Sequence, residues 1–347
     1  MPQDAMPTPA QLEQLELILG GHVFFQTLRS AVDLDLFTLL SRSPGASLGR
    51  LAELAGVERK PMRILLLGCV ALGLIEKRDG YYNGAVAQRL LNRDSPRNIT
   101  ATVEFAHHLV YRPMFHMAEA IRENRNVGLS EFPGEGKTLY ERLSQSPELE
   151  RVFQEGLQST TAITIEQLLN HFDLTHTRHV LDVGGGNGTA LCTLAARYPQ
   201  LHGTVFETPT VCALARERIE AVGMLDRVGV HPGNSFVDPF PAGPDCILFM
   251  HYMTIWSEQA NREMLRKSHA ALPSGGSVVV FDGVQSNDET GPLRAARWSP
   301  YFLVLSTGEG MFYSADEYAG WMREAGFVDV RQIPTPMDHA VVLGRRP

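Results

Sequence analysis

Basic residues are the scarce charge in this chain. Lys and Arg number 31 against 39 Asp and Glu, which leaves a formal charge of −8 over 347 residues. No basic stripe advertises a phosphate-backbone partner, so nucleic acid is not expected. Long apolar runs are missing too. None reaches the roughly 18 residues a membrane span needs. The first residues, Met-Pro-Gln-Asp-Ala, lack a basic stretch before an apolar core, so no secretory signal is expected and the compartment is read as cytoplasmic. Cysteine is sparse. Cys69, Cys192, Cys212 and Cys246 form no C-x-x-C pair. Each sits inside an apolar pattern, as a small buried hydrophobe in a reducing cytoplasm would. No cysteine metal motif exists, and no metal site is expected. Repeats and low-complexity tracts are also absent, and the length suits two domains of about 150 residues each.

What is present centres on 179–188, His-Val-Leu-Asp-Val-Gly-Gly-Gly-Asn-Gly. Val180 to Val183 reads as a buried parallel strand, and the glycines end it in a sharp turn before a helical pattern over 189–197. Strand, glycine turn, helix is how α/β folds bring backbone close to a ligand. The spacing is not G-x-G-x-x-G, and no Lys-Ser or Lys-Thr follows, so neither the dinucleotide fingerprint nor a P-loop applies. A second acid, Glu207, ends the next predicted strand, where a carboxylate can accept both hydroxyls of a ribose. A third strand over 228–231 leads into Gly233-Asn234-Ser235-Phe236, a loop placed to meet an adenine ring.

The second half alternates strand and helix: 179–183, 189–197, 203–206, 209–221, 228–231, 245–250, 257–272 and 276–281. This predicts a parallel sheet with helices on both faces. At the end, 327–331 and 340–343 flank Pro334 and Pro336 and read as an antiparallel hairpin. The first half is helical. Residues 1–10 read as a loose tail, and Leu12, Leu15, Leu19, Val23 and Leu28 then recur at helix spacing. Two short helices over 47–55 and 60–72, with a hairpin at Asp79-Gly80, make a winged-helix pattern. Its second helix carries Arg59, Lys60 and Arg63 but mostly leucines, which argues against DNA reading. Residues 101–124 form a helical segment rich in His and aromatics. Helices over 140–149 and 153–169 lead to a domain boundary near 165–175.

These residues resemble a family. D-V-G-G-G-x-G, an acid after the next strand and a G-[D/N]-x-F loop are similar to class I S-adenosylmethionine-dependent methyltransferases. The 247–256 segment Ile-Leu-Phe-Met-His-Tyr-Met-Thr-Ile-Trp and the 272–280 segment Leu-Pro-Ser-Gly-Gly-Ser-Val-Val-Val narrow the likeness. They resemble plant-type and acetylserotonin-type O-methyltransferases, including bacterial natural-product members. The resemblance implies an α/β Rossmann-like methyltransferase sheet closed by an antiparallel hairpin. It implies an N-terminal winged-helix dimerisation domain (1–100), a helical linker and acceptor-pocket roof (101–170) and a cofactor-binding catalytic domain (171–347). It further implies a homodimer, a small-molecule acceptor, and S-adenosylmethionine held by Asp182, Gly184, Gly185, Gly186, Gly188, Glu207, Asn234, Ser235 and Met250. Asn234, where an Asp is common, keeps an acceptor for the adenine amine.

The likeness breaks at the acceptor. The family's His-Asp-Trp is Thr254-Ile255-Trp256 here, so the general base and its Asp partner are missing. The family's orienting Glu is Phe312. His251, at the end of a strand, is the best replacement and, with Thr254, makes the expected catalytic pair of positions. His107, His108, Tyr111, Met114, Trp298, Tyr301 and Phe302 are the expected acceptor walls, with His116 a further roof histidine. Three readings stay open. One is methyl transfer to O, C or N of an aromatic or keto-acid-like metabolite. A second is metal-assisted C-methylation of a 2-oxo acid through His251, with any second histidine coming from the roof. The third is a non-methylating enzyme that binds the cofactor.

Overall fold

A computed structural model describes residues 6–347. The chain divides into two compact units that meet in sequence at His107/His108. Residues 1–5 of the expected tail lie outside the described residues. The rest of that tail is already ordered, because the Thr8 hydroxyl and Gln11 form a capping box and Pro9 takes the first helical position.

The first unit holds α1 (Pro9–Leu19), α2 (Gly21–Asp33), α3 (Leu36–Arg42), α4 (Leu48–Leu54), α5 (Arg59–Ala71), β1 (Ile75–Lys77), β2 (Tyr81–Asn83) and α6 (Thr100–Phe105). Its core joins Leu36, Phe37, Leu40, Leu51, Met62, Leu66 and Ile75. The β1–β2 hairpin pairs antiparallel, as the Asp79-Gly80 signal predicts. Gly80 is obligatory there, since a Cβ would lie 2.0 Å from the Gly45 carbonyl oxygen. Helix α1 buries none of its residues, and Leu12, Leu15, Ile18 and Leu19 are at least half exposed.

The second unit begins with α7 (Met117–Glu123), α8 (Leu139–Leu143) and α9 (Pro147–His171). The helical segment expected over 101–124 is present and is made of α6, a π-turn at Ala106–Val110, a 3₁₀ turn at Pro113–His116 and α7. One expectation needs correction here. The helix expected over 140–149 stops at Leu143, and α9 restarts at Pro147 with Ser146 as N-cap.

The remaining elements are β3 (His179–Val183), α10 (Thr189–Arg197), β4 (His202–Glu207), α11 (Pro209–Ala221), β5 (Val228–Pro232), β6 (Cys246–Met250), α12 (Glu258–Ala271), β7 (Ser277–Gly283), α13 (Leu293–Tyr301), α14 (Ala315–Glu324), β8 (Val328–Thr335) and β9 (His339–Arg345). The sheet order is β5-β4-β3-β6-β7-β9-β8. Strands β3 to β7 pair in parallel, whereas β9 pairs antiparallel with both β7 and β8. Pro334 was expected in the closing turn. It lies within β8, which is tolerated because β8 is the sheet edge. One sheet face packs Val180 and Leu248 against Leu191, Leu194 and Ile219. The other packs Leu181 and Val183 against Met264, Leu265, Tyr318 and Trp321. Chain order reverses at β3, which has β4 on one side and β6 on the other. The crevice above the C-terminal ends of β3 and β6 is therefore where this sheet class takes ligands.

Candidate active site

The first site feature is a carboxylate in the wrong solvent. Asp182 is fully buried on β3, and neither side-chain oxygen has a hydrogen-bond partner. Burial, reinforced by the charge of Glu207, pushes its carboxyl up to about 7. An uncompensated buried charge costs several kcal/mol, so this position asks for a cation. The backbone beside it is stripped of side chains. A Cβ on Gly185 would lie 2.5 Å from Asp182 Oδ2, and one on Gly184 would lie 2.1 Å from Cδ2 of Tyr252. Gly184 and Gly188 also have φ of +73° and +76°, which favours glycine. Gly188 caps α10, and Gly186 faces the Gln154 side chain of α9.

Glu207 ends β4, and its carboxylate accepts the Thr208 backbone N–H at 2.8 Å. Burial pushes its carboxyl up as well, opposed by backbone N–H groups of Thr208 and Gly186. Past β5, the Asn234 side-chain oxygen accepts the Phe236 N–H at 2.9 Å, while the Asn234 N–H donates to Asp238 at 2.8 Å. Asn234 therefore folds its own loop and keeps one oxygen lone pair and the NH₂ for other use. Ser235 Oγ hydrogen-bonds the Tyr252 hydroxyl, and the Lys267 ammonium donates to the Ser235 carbonyl. Phe236 meets Trp256 edge-on at 4.5 Å between centroids. Met250 is buried with the sheet core. Two carboxylates, a bare glycine turn and an aromatic loop suit a cationic nucleoside such as S-adenosylmethionine.

The family's base position is closed. Thr254 is 1% exposed, its hydroxyl donates to Asp282 Oδ1 at 3.2 Å, and its N–H donates to Asp282 Oδ2 at 3.2 Å. Asp282 also accepts the Gly283 N–H at 3.1 Å, and burial pushes its carboxyl up to about 7. Nothing on Thr254 is left to reach an acceptor. Phe312, at the orienting Glu's place, packs on Gly283, where a Cβ would lie 2.3 Å from its ring.

His251 follows β6 directly with φ of +53°, an uncommon left-handed conformation for a non-glycine residue. Its Nε2 lies 3.1 Å from Nε2 of His339, and Nδ1 of His339 lies 2.7 Å from the Met337 carbonyl oxygen. A second histidine beside His251 was expected only from the helical roof. It comes instead from the start of β9. Burial, His339 and the charge of Arg294 hold His251 well below its usual pKa, so it is neutral at pH 7. Arg294 reaches toward Asp338 at 4.0 Å, and Arg297 lies one turn on along α13 over the Trp298 ring.

Trp298, Tyr301 and Phe302 form an edge-to-face ladder with centroid spacings of 5.8 and 5.2 Å. Phe302 continues it to Phe312 at 6.0 Å. Tyr140 hydrogen-bonds Ser306 at 2.9 Å beside this ladder, and burial lifts its hydroxyl to about 12. Met114 packs with Val127, Val304 and Leu303. Tyr111 meets Phe115 edge-on at 6.4 Å, His108 is exposed, and His116 pairs with Glu131 at 2.9 Å. His107 belongs to the first unit. Tyr252 was missed although it adjoins His251 in sequence. Tyr140, Asp282 and His339 were missed because only the tertiary fold brings them in.

Comparison with known proteins bears on this geometry. Residues 114–328 match the model of an O-methyltransferase domain, and residues 15–93 match an O-methyltransferase dimerisation domain. The L-tyrosine C(3)-methyltransferase of Streptomyces lavendulae is 35% identical over 92% of this chain and 87% of its own. The 3-hydroxy-5-methyl-1-naphthoate 3-O-methyltransferase of Streptomyces sahachiroi is 36% identical over 92% of this chain and 91% of its own. Among solved structures, the S-adenosylmethionine-dependent methyltransferase SibL in its apo form is 37% identical. It superposes with a TM-score of 0.84 over 97% of this chain and 99% of its own.

Proposed function

The chain belongs to the O-methyltransferase family, as an S-adenosylmethionine-dependent methyltransferase with that family's dimerisation domain, and from that premise we propose that it methylates a small hydroxylated aromatic acid using His251 as the proton acceptor. Bound, S-adenosylmethionine supplies an electrophilic methyl group on a sulfonium, so the protein's task is to hold donor and acceptor in line. Asp182 would take the donor's positive charge, Glu207 its ribose hydroxyls, and the 233–236 loop its adenine.

The observation that carries the proposal is the contrast between Thr254 and His251. The family's base position is sealed by Asp282, whereas His251 has a neutral imidazole with one ring nitrogen uncommitted. Accepting a phenol proton at that nitrogen makes a phenolate, which is nucleophilic at oxygen and at the adjacent ring carbons. In O-methylation the proton on His251 is the only one lost; in C-methylation the methylated ring carbon must also release its proton to solvent to restore the aromatic ring, while the ring oxygen takes back the proton held by His251, and the pose of the acceptor decides between the two. A general base contributes about 10²–10⁴-fold. The relatives named above act on L-tyrosine and on a hydroxynaphthoate, both of which pair a ring hydroxyl with a carboxylate. Arg294 and Arg297 on α13 supply two guanidiniums, which suit a carboxylate. Arg297 makes no ion pair among the described residues.

A metal-assisted reading finds two nitrogens at His251 and His339. Among the described residues no group of three His, Cys, Asp or Glu is placed to hold a metal ion. We propose the homodimer from the dimerisation domain and the exposed apolar face of α1. The division at about residues 100 and 170 is likewise our functional reading.

The test is a set of three measurements. His251→Ala should lower turnover at least 10²-fold with S-adenosylmethionine affinity intact, Thr254→His should restore little, and a chelator should change nothing. A loss below about tenfold in His251→Ala would remove His251 from the chemistry. Loss of cofactor binding in that variant would make it structural.

A further inference from the structure

We propose that His339 is a positioning residue that fixes the tautomer of His251, so that Nδ1 of His251 is the bare nitrogen offered to the acceptor. The inference rests on the reading of His251 given above for its catalytic meaning, but the tautomer itself stands on the hydrogen-bond geometry of two neutral imidazoles.

The hydrogen-bond chain starts at one carbonyl. The Met337 carbonyl oxygen can only accept, so Nδ1 of His339, 2.7 Å away, carries a hydrogen. A neutral imidazole has one N–H, so Nε2 of His339 is an acceptor. His339 is neutral across the physiological range, because burial lowers its pKa to about 4. Nε2 of His251 lies 3.1 Å from that acceptor and must donate to it. The hydrogen of neutral His251 is thereby assigned to Nε2, and its Nδ1 keeps a lone pair with no partner in the chain. This tautomer assignment follows from the network, as is usual for imidazoles.

The surroundings hold this arrangement. Phe281 lies under both rings, with centroids 5.8 Å from His251 and 5.3 Å from His339, so neither ring is free to turn over without losing packing. Met337 and Asp338 both adopt positive φ, +64° and +56°, and this tight turn aims the Met337 carbonyl back at His339. The charged groups near the pair are Arg294, which opposes protonation of both rings, and Asp338, which favours it at His339. Such a carbonyl–histidine–histidine chain orients a base as a carboxylate does in a triad, but it adds no net charge. His251 thus stays a neutral acceptor beside an acid substrate.

Selective ¹⁵N labelling of histidine in the full chain tests this without any acceptor. The His251 resonances are assigned by their loss in His251→Gln. Wild type should show N–H at Nε2 and a bare Nδ1. His339→Leu should mix the tautomers, and His339→Gln, whose side-chain oxygen accepts at the same end, should restore the wild-type pattern. Turnover of L-tyrosine or 3-hydroxy-5-methyl-1-naphthoate should fall at least tenfold in kcat for His339→Leu, with KM within about twofold and S-adenosylmethionine affinity unchanged, and recover in His339→Gln. A wild-type hydrogen on Nδ1, or a His339→Leu protein with the wild-type tautomer, overturns the proposal. His339→Gln keeps the test decisive should His339→Leu fold poorly. A normal tautomer pattern together with an active His251→Ala protein would sink the base reading and leave only the tautomer assignment intact.

Discussion

Asp182 has the widest consequence at the scale of one residue. Its carboxyl is raised from 3.8 to about 7 by burial and by Glu207. A raised acid favours the folded state only while protonated. Its contribution is therefore complete below the unfolded value near 4 and is lost as pH rises through about 7. Asp282 behaves in the same direction. For the cofactor-free protein, Asp182→Asn should raise the melting temperature at pH 8 by more than at pH 5. Melting curves at the two pH values check this, and an equal or reversed effect contradicts it. S-adenosylmethionine is a cation that needs the carboxylate ionised, so its affinity should fall as pH drops from 8 to 6, and Asp182→Asn should flatten that slope. Glu207→Ala removes a charge-assisted contact of about 1.5–3 kcal/mol. Calorimetry should then show affinity falling at least tenfold, and unchanged affinity would remove Glu207 from the ribose. The places of Asp182, Glu207 and His251 near strand ends were legible in the sequence, because hydrophobic pattern alone marks out β3, β4 and β6. His339 was not, since it meets His251 across 88 positions of sequence and no local pattern encodes that distance.

At the scale of elements, the glycine turn is where sequence and geometry agree most closely. Gly184→Ala puts a Cβ 2.1 Å from the Tyr252 ring at φ of +73°. Tyr252 must move, and with it the hydrogen bond to Ser235. S-adenosylmethionine affinity should fall at least tenfold. Gly223→Ala is the control, with φ of +69° but nothing within 4 Å. It should cost only about 1–2 kcal/mol of backbone strain and leave the affinity unchanged. Equal losses of affinity in both would show that the Tyr252 contact does not matter. The parallel strands were legible because they are short β-branched runs between glycine turns. The helical character of 101–124 was legible as well, but its π and 3₁₀ turns were not, because helical spacing continues across Pro113. The break before α9 was signalled by Ser146-Pro147, an N-cap followed by a first-turn proline, which the helical pattern on both sides obscured.

For the whole molecule, the change from helical periodicity to strand–helix alternation suggests a boundary near 165–175, whereas the two compact units meet at His107/His108, because α7, α8 and α9 belong to the same unit as the sheet. The N-terminal unit leaves a helix with no buried residue, with Leu12 at 53%, Ile18 at 69% and Leu19 at 62% exposure. An apolar face of that kind marks an interaction surface. Sedimentation at micromolar concentration should give a dimer, and a monomer there would reject the homodimer. Acceptor identity was the least legible property, because the surroundings of His251 are assembled from separate elements, with Phe281 from β7 and His339 from β9.

That acceptor is also where one measurement weighs most. The protein is incubated with methyl-labelled S-adenosylmethionine and a panel of hydroxylated aromatic acids that includes L-tyrosine and 3-hydroxy-5-methyl-1-naphthoate, each beside its methyl ester. Label should pass to a free acid bearing a ring hydroxyl, and the ester should lose at least tenfold in kcat/KM. Calorimetric binding of the cofactor with no label leaving it for any member of the panel would contradict the account.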